Sequence, residues 1–329
     1  MIRSFSTDRG DVHKRLDHVL RRHLADLPEA SRTQVQLWIE SGRVAVAGRT
    51  IRKTAARVPF EAQVVVSLPP MRERSRPEAE RLPLAILHED AHLLVLDKPP
   101  GLIVHPSFGH ASGTLMNALL WHARAWPPDA RPSLVQRLDK HTSGLLLVAK
   151  SRPAHAQLQR ALHGQDAEKH YLAIVYGRPG RSRGTIDLDL ARDPLDRRRV
   201  VVTAEHGRES LTGYERMASV RAPAEWVTLL RCRLLTGRTH QIRVHLASSG
   251  WPVVGDPVYG QPRWKGVINA KQAMALREFP RQALHAWRLA FRHPVTGARL
   301  EFEAPLPDDM RTLSAMLALT LPGAHAGAR

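Results

Sequence analysis

The sequence predicts an α+β fold, in which a large domain is built on a mixed, mainly antiparallel β-sheet and a small α/β domain precedes it. Apolar runs of strand length recur through most of the chain and are separated by short turns, which argues against a doubly wound parallel sheet. Only a few stretches show helical spacing of apolar residues. A charged stretch without periodicity, MRERSRPEAERL (71–82), predicts a linker between the two domains.

The chain length of 329 residues is enough for about two domains. We predict a small domain over residues 14–70, a linker over 71–83, a large domain over 84–319 and a disordered tail over 320–329. Residues 1–13 are polar and are expected to be loose. Apolar residues make up 43% of the chain, which allows a sizeable core.

The small domain begins with two predicted helices. In the first, over residues 14–24, apolar residues recur every three to four positions. The second runs from an N-cap at Ser31 to Gly42. RVAVAGR (43–49) and VVVSL (64–68) alternate or cluster like strands.

The large domain mixes predicted strands with a few helices. Their order along the chain is two strands around a KPPG turn (84–106), a helix (113–122), an apolar run (145–149), a helix (153–163), a strand (168–177), a long strand leading to a Gly237 turn and a helix opened by Thr239 (226–250), a turn-rich return (251–260), an extended loop (261–283), a hairpin (284–307) and a last helix (308–319).

The net charge is +18, from 49 Lys and Arg against 31 Asp and Glu. Such an excess favours a polyanionic partner, and nucleic acid is the first candidate. Residues 178–207 include Arg197, Arg198 and Arg199 and predict a basic loop or hairpin, which is a second candidate RNA surface besides the first helices.

Several function classes are disfavoured. The one cysteine, Cys232, allows neither an intrachain disulfide nor a thiolate metal cluster. The histidines are scattered, and His240 and His245 are five apart, not the four that places two ligands on one helix face. No GxGxxG, P-loop or metal-binding spacing occurs. No apolar run approaches the ~20 residues of a membrane span, so we expect a soluble, cytoplasmic protein. No coiled coil or apolar docking helix is evident, so we also expect a monomer, and the residue spacing predicts no metal.

The stretch VQRLDKHTSG (135–144) carries the strongest catalytic signal. It places one carboxylate, Asp139, among Arg137, Lys140 and His141. A carboxylate held beside cations stays ionised, and if it is shielded from water it can act as a nucleophile or base. Read in isolation, Asp139 would more often cap a turn or pair with a surface arginine.

Two distant residues have types that would suit such a site. Arg243 lies in the helix after the Gly237 turn, where a guanidinium can pair with a buried carboxylate and orient it. Tyr171 offers an aromatic face and a hydroxyl, both useful for a base taken out of a helix. Spacing alone does not bring these residues together.

The motifs resemble those of a known family. QRLDKHTSG (136–144) is similar to the H-R-L-D-x-x-T-S-G signature of the RluA-type pseudouridine synthases, and EKHYLAIVYG (168–177) and LLTGRTHQIRVHLASSGWPVVGDPVYG (234–260) resemble their second and third motifs. Residues 14–70 resemble the S4-like RNA-binding domain. The resemblance covers residues 14–315, and the flanking segments look like those of the D-type branch, whose members modify helix 69 of large-subunit ribosomal RNA.

The resemblance implies roles for individual residues. Asp139 matches the essential aspartate, and Arg243 matches the arginine paired with it. Tyr171 matches the residue that stacks on the target uracil and is a candidate for acting on the proton at carbon 5. Arg137 matches the arginine that replaces the extruded nucleotide in the RNA stack. Gln136 departs from the usual His, but an amide can still support the loop by hydrogen bonding.

By the same resemblance, Arg15, Arg32 and Arg43 of the S4-like domain are candidate RNA phosphate contacts. The implied activity is isomerisation of uridine to pseudouridine in 23S ribosomal RNA of the large subunit, with RNA as partner and no cofactor. Transfer RNA modification, a non-catalytic ribosome-assembly factor and an aspartate-dependent glycoside hydrolase are the alternatives. The last of these usually needs a second acting carboxylate.

Overall fold

A computed structural model describes residues 2–27, 29–69, 77–106, 110–164, 166–196, 198–222, 225–267 and 269–321. The chain forms two compact units, Met1–Arg76 and Pro77–Arg329, and each has its own hydrophobic core. Within the described ranges, none of the helices is long and apolar enough to cross a membrane.

Unit 1 packs two helices against a small antiparallel sheet. Its elements are β1 (Ile2–Ser6), α1 (Leu16–His23), α2 (Arg32–Glu40), β2 (Val44–Val46), β3 (Arg49–Ile51) and β4 (Gln63–Ser67). The strand order is β1-β4-β2-β3. The predicted cap of α2 is present, since the Ser31 hydroxyl accepts the Gln34 N–H at 3.4 Å.

The strand β1 corrects the expectation that the first residues are loose. It pairs with β4 along its whole length, from Ile2 opposite Ser67 to Ser6 opposite Gln63. Most of its side chains are exposed. Backbone hydrogen bonds to β4 therefore hold this strand in place. Its sequence shows no alternation of apolar and polar residues, so the strand could not be predicted from the sequence.

Unit 2 is built on one large sheet with helices around it. Its elements are β5 (Ile86–Glu89), β6 (Leu93–Lys98), α3 (Leu115–His122), β7 (Ser133–Leu134), β8 (Ser143–Ala149), α4 (Arg152–His163), β9 (Glu168–Tyr176), β10 (Arg183–Asp187), β11 (Leu190–Arg192), β12 (Val200–Val202), β13 (Leu211–Ala222), β14 (Glu225–Leu234), α5 (Gln241–Ser248), α6 (Ala270–Glu278), β15 (Leu284–Arg292), β16 (Arg299–Glu303) and α7 (Asp308–Met316).

The large sheet has the strand order β10-β13-β14-β9-β15-β8-β6-β5, with β16 on β15 and β7 on β8. All its pairs are antiparallel except β15 with β8. The predicted α+β class with a mixed, mainly antiparallel sheet is confirmed. Every residue of β8 is buried, as expected for a strand covered on both faces.

Close packing joins β8 to β15. Gly144 lies opposite Ala286 in the parallel register and has φ of +105°. A Cβ at this position would lie 2.2 Å from the Ala286 carbonyl oxygen, so only glycine fits here. Because β15 also pairs with β9, where Tyr171 lies opposite Ala286, the sheet brings the strand after Asp139 near the strand that carries Tyr171.

Two predictions about local structure need correction. The helix α5 begins at Gln241, and its N-cap position is His240 rather than Thr239, because His240 adopts left-handed backbone angles with φ of 55°. The predicted extended loop at 261–283 contains a short 3₁₀ turn and α6. The hairpin predicted within residues 178–207 is present as β11–β12 and follows the strand β10. Arg197 lies outside the described residues.

The predicted linker divides at the unit boundary. Residues 71–76 lie outside the described part of the chain, as do residues 322–329 of the predicted tail. Residues 77–83 are held by unit 2. The Glu80 N–H donates to the Asn117 carbonyl at 3.0 Å, and the Glu80 carboxylate accepts the Gly113 N–H at 2.9 Å.

Candidate active site

The loop between β7 and β8 carries Asp139, and two buried cations bind its backbone. The Lys98 ammonium donates to the Lys140 carbonyl at 3.0 Å, and the Arg281 guanidinium donates to the His141 carbonyl at 3.0 Å. Each cation fixes one backbone carbonyl directly after Asp139. The loop therefore has a defined conformation before any substrate binds.

Lys98 is 1% exposed. Its ammonium also donates to the carbonyls of Pro99 and Leu102, at 2.9 and 3.2 Å. Burial and the nearby Arg281 charge lower the pKa of Lys98 to about 8. Carbonyl acceptors on all three N–H bonds are what a buried ammonium requires, so this lysine ties the turn at 99–102 to the Asp139 loop.

Asp139 and Arg243 meet as the resemblance implied. The Arg243 Nη1 donates to Asp139 Oδ2 at 2.8 Å. Arg243 is 4% exposed, whereas the Asp139 side chain is 25% exposed. Among the described residues, Asp139 Oδ1 makes no hydrogen bond, and His240 Nε2 lies 3.8 Å from it. One carboxylate oxygen is thus bound and the other is open to the cavity.

A second carboxylate holds the other side of Arg243. Asp256 accepts from Arg243 Nε at 2.7 Å and from Nη2 at 2.8 Å. It also accepts the backbone N–H groups of Val258 and Tyr259, at 2.9 and 3.1 Å. This bidentate pair fixes the plane of the guanidinium and aims its remaining edge at Asp139.

Burial and pairing act in opposite directions on the pKa values here. Burial raises the pKa of Asp256, but the hydrogen bonds and charge of Arg243 and the two N–H donors outweigh it, so this pKa lies below its ordinary value. Burial lowers the pKa of Arg243, and the two carboxylates outweigh that effect and raise it. Asp256 and Arg243 therefore remain charged at neutral pH.

Tyr171 lies in β9 and is 8% exposed. Burial, and secondarily the charge of Asp139, raise the pKa of its phenol above the ordinary value. Its hydroxyl makes no hydrogen bond to the residues that the structure describes. Tyr171 therefore offers a neutral, unengaged phenol and a ring beside the carboxylate.

A cavity of about 680 Å³ contains these groups. Its lining combines apolar side chains such as Leu138 and Leu284 with Asp139, Tyr171 and Arg243. Further polar groups complete the lining: His105, Gln136, Arg137, Lys140, Thr142, Gln159, His163, Lys169, Arg192, Arg238, Thr239, His240 and Gln241. The volume and mixed lining suit a nucleotide-sized group.

Two other residues of the QRLDKHTSG motif lie as follows. Arg137 is exposed and lines the cavity. Gln136, which stands where the family usually has His, donates its amide N–H to the Leu145 carbonyl at 3.3 Å. The amide thus supports the loop, as the sequence analysis expected.

The candidate RNA contacts of the small domain lie in unit 1. Arg15, Arg32 and Arg43 are all exposed. Arg15 is engaged by the buried carboxylate of Asp17 at 3.0 Å. Arg32 is the first residue of α2, so the positive end of that helix lies beside its charge.

One cluster in unit 1 has spacing compatible with a metal. Ligand atoms of Asp8, Asp11 and His23 lie within 4.8 Å of one another. However, Arg22 already contacts Asp8 at 2.6 Å and Asp11 at 2.8 Å. A cation in the cluster would have to displace this guanidinium, so the arrangement is that of an ion-pair network.

Three residues around the carboxylate were not among the predicted site residues: Asp256, Tyr259 and His240. All three lie in the third motif, at 234–260. A buried arginine needs more than one partner, so a second acid was to be expected, but no local feature of the sequence marks Asp256 as that acid. The identity of that partner depends on the tertiary fold and not on spacing.

Comparison with known proteins agrees with this site. A family model described as RNA pseudouridylate synthase matches residues 92–248. The chain is 42% identical over 299 residues to the ribosomal large subunit pseudouridine synthase D of Nitrosomonas europaea, covering 91% of this chain and 83% of that protein. It is 42% identical over 293 residues to the protein of the same name from Pseudomonas aeruginosa, covering 88% of each.

A solved structure supports the same relationship. Human RNA pseudouridylate synthase domain containing 1 matches with a TM-score of 0.54 and 26% identity, covering 72% of this chain and 89% of that one. The similarity to curated relatives extends over most of both chains and includes the segments that carry Asp139, Tyr171 and Arg243. The chain belongs to the RluA-type family of RNA pseudouridine synthases.

Proposed function

We propose that the protein isomerises uridine to pseudouridine in 23S ribosomal RNA of the large subunit, in the helix 69 region, and that the reaction depends on Asp139. The names of the curated relatives support the large-subunit RNA. The observation that carries the role of Asp139 is its 2.8 Å pair with buried Arg243 inside the cavity that Tyr171 also lines. RNA is the partner, and we propose a cytoplasmic monomer.

The reaction breaks the bond between nitrogen 1 and carbon 1′, turns the base and rejoins it through carbon 5, whose proton is lost. Asp139 has three possible first steps: attack at carbon 1′, attack at carbon 6, or removal of a sugar proton. Each needs an ionised carboxylate with an unengaged oxygen. Arg243 favours the ionised form, and Oδ1 is the oxygen left open. The proton lost from carbon 5 is balanced by one gained at nitrogen 1, and there is no redox step and no transfer to another molecule, so we propose no cofactor.

Tyr171 and Arg137 would serve the base rather than the sugar. The phenol of Tyr171 is neutral, since its pKa is raised, so the residue can stack on the uracil without repelling Asp139. Arg137 is exposed at the cavity and would occupy the gap left in the RNA stack. Base flipping costs a few kcal/mol, and stacking together with phosphate contacts from Arg32 and Arg43 would offset it.

The test replaces the carboxylate without changing its size. We expect Asp139→Asn to abolish tritium release from RNA labelled at carbon 5 of uridine, because an amide can neither attack nor accept the proton. Binding of the same RNA should change little. Asp129→Asn, at an exposed position, is the matched control and should retain full activity. Tritium release by Asp139→Asn at the wild-type rate would rule out the assignment.

Product analysis separates isomerisation from glycoside hydrolysis. A hydrolase would need a second acting carboxylate, and Asp256, the acid that shares Arg243 with Asp139, has both oxygens bound to Arg243. We therefore expect the uracil to stay attached to the RNA. Mapping pseudouridine in a deletion strain then identifies the substrate, and a loss confined to transfer RNA would contradict the ribosomal proposal.

A further inference from the structure

A chain of polar groups leads from the hairpin β11–β12 to the open oxygen of Asp139. The Val200 backbone N–H donates to the Tyr259 hydroxyl oxygen at 2.9 Å. That hydroxyl lies 2.8 Å from His240 Nδ1. The other ring nitrogen, Nε2, lies 3.8 Å from Asp139 Oδ1. These groups come from three separate segments of the chain.

These hydrogen bonds favour one position for the proton of a neutral imidazole. A backbone N–H can only donate, so the Tyr259 oxygen accepts from Val200. Among the hydrogen bonds made by the described residues, Nδ1 of His240 is the acceptor available to the phenol proton. In that arrangement a neutral His240 carries its proton on Nε2, the nitrogen that lies 3.8 Å from Asp139 Oδ1.

The surroundings favour this neutral form. Burial lowers the pKa of His240, and the charges of Arg243 and Arg192 lower it further, against the opposing effect of Asp139 and Asp256. A neutral Nε2–H can direct a carboxylate oxygen without supplying a second full charge. Arg243 already supplies a full positive charge at the other carboxylate oxygen.

The backbone at His240 is held in an uncommon state. Its φ is 55° and its ψ is 13°, a left-handed conformation that costs a non-glycine residue about 1 kcal/mol or more. This turn opens α5, which carries Arg243 two residues after its start. One helix start therefore aims two donors at one carboxylate, with Arg243 on Oδ2 and His240 on the side of Oδ1.

We propose that His240 is a positioning residue for Asp139: its Nε2–H, set by the Tyr259 hydroxyl and Val200, attracts Oδ1 across 3.8 Å without a hydrogen bond and so favours the carboxyl rotamer that turns Oδ1 to the uridine. The inference rests on the proposed function of Asp139. Without this donor the carboxylate keeps its pair with Arg243 but rotates about it. The fraction of enzyme with Oδ1 aimed at the substrate then falls, which lowers kcat and leaves RNA binding unchanged.

Two substitutions separate the donor from the bulk of the side chain. In His240→Gln the amide nitrogen can reach the position of Nε2, whereas in His240→Asn it reaches only the position of Nδ1. Asn tolerates left-handed backbone angles well, so this variant should fold. We expect Asn to lower kcat for tritium release about 30-fold and Gln to recover it to within about threefold of wild type, with KM unchanged in both.

A spectroscopic measurement tests the proton position in the intact protein. In ¹⁵N-histidine-labelled wild type, the His240 signal, identified by its absence in His240→Asn, should show a protonated Nε2 and an unprotonated Nδ1. Tyr259→Phe keeps the ring but removes the phenol proton, so the signal should shift to a mixture of the two neutral forms. Protonation of Nδ1 in wild type would overturn the proposal.

The kinetic outcomes distinguish this proposal from the one it rests on. If Asp139→Ala is inactive while His240→Asn keeps the wild-type kcat, only the positioning role fails. If Asp139→Ala is active, the role of Asp139 fails first. Equal losses in the Gln and Asn variants would also overturn the positioning role, because the loss would then follow the missing ring and not the donor at Nε2.

Discussion

At the scale of single residues, Asp256 fixes the position of Arg243, the counter-charge of Asp139, although no contact between the two carboxylates is seen among the described residues. Asp256 is 6% exposed and binds two nitrogens of Arg243, leaving Nη1 for Asp139. A guanidinium shared in this way is oriented by its stronger partner. If Asp139 is the reactive carboxylate, as we propose, it can exchange contacts with RNA while its counter-charge stays in place.

The buried partner should therefore matter for both stability and rate. We expect Asp256→Asn to lower the free energy of unfolding by about 3 kcal/mol, because a buried guanidinium loses half of its compensation. Tritium release should fall as well, since Arg243 is then free to turn. Urea unfolding and the tritium assay check this. Asp166→Asn removes the exposed pair with Arg292 and should leave both measurements almost unchanged.

Sequence reasoning succeeded at this scale where a motif carried the residue. Asp139 lies in an acid-and-base-rich stretch, and its pairing with Arg243 follows from the resemblance. The position of Asp256 could not be predicted in the same way. Nothing local distinguishes it from other turn aspartates, and its role appears only when the return after α5 folds back on the helix.

At the scale of elements, β15 lies between β8, the strand after Asp139, and β9, the strand that carries Tyr171. His285 of β15 is fully buried and lies opposite Ser143 of β8 and Leu172 of β9. The Ser143 hydroxyl donates to its Nδ1 at 3.0 Å, and its Nε2 donates to the Ala304 carbonyl at 3.2 Å. Both ring nitrogens are used by a neutral imidazole, and a proton added to Nδ1 would face the hydroxyl hydrogen of Ser143.

This arrangement predicts a pH-dependent stability. Burial lowers the pKa of His285 from its ordinary 6.5 to about 4. Between these values the unfolded chain binds more protons than the folded one, so stability is present above pH 6.5 and is lost as pH falls towards 4. The loss totals about 3 kcal/mol if His285 acts alone.

Urea unfolding at a series of pH values measures this loss. In His285→Gln the amide can bridge Ser143 and the Ala304 carbonyl but does not titrate, so its stability curve should lack this component. The difference between wild type and variant should shrink from pH 6.5 to pH 4. A constant difference across this range would show that His285 does not titrate with the expected shift.

The elements that were predicted from the sequence differ from those that were not in what stabilises them. Strands such as β8 and β9 are apolar runs, and their own composition reveals them. The strand β1 is polar and exists through its hydrogen bonds to β4. The start of α5 was misplaced by one residue because the left-handed His240 depends on the hydrogen bond to Tyr259, which is remote in sequence.

At the scale of the whole molecule, the net charge of +18 attracts any RNA. Contacts between individual arginines and phosphates instead fix one position of the protein on its RNA. Binding that releases counterions weakens linearly with the logarithm of salt concentration, by about 0.7 to 0.9 units of slope per neutralised phosphate. The slope therefore counts local contacts. Unit 1 offers Arg32 at the start of α2 and Arg43 just after its end, both exposed.

We expect the double variant Arg32→Gln, Arg43→Gln to weaken binding to a large-subunit ribosomal RNA fragment and to reduce the salt slope by about 1.5. The control removes two exposed charges from unit 2, as Lys271→Gln with Arg311→Gln, and should change the slope little although the net charge is the same. Arg15 is excluded because it compensates the buried Asp17. Equal reductions in the two double variants would assign the effect to net charge and remove the basis for specific contacts by unit 1.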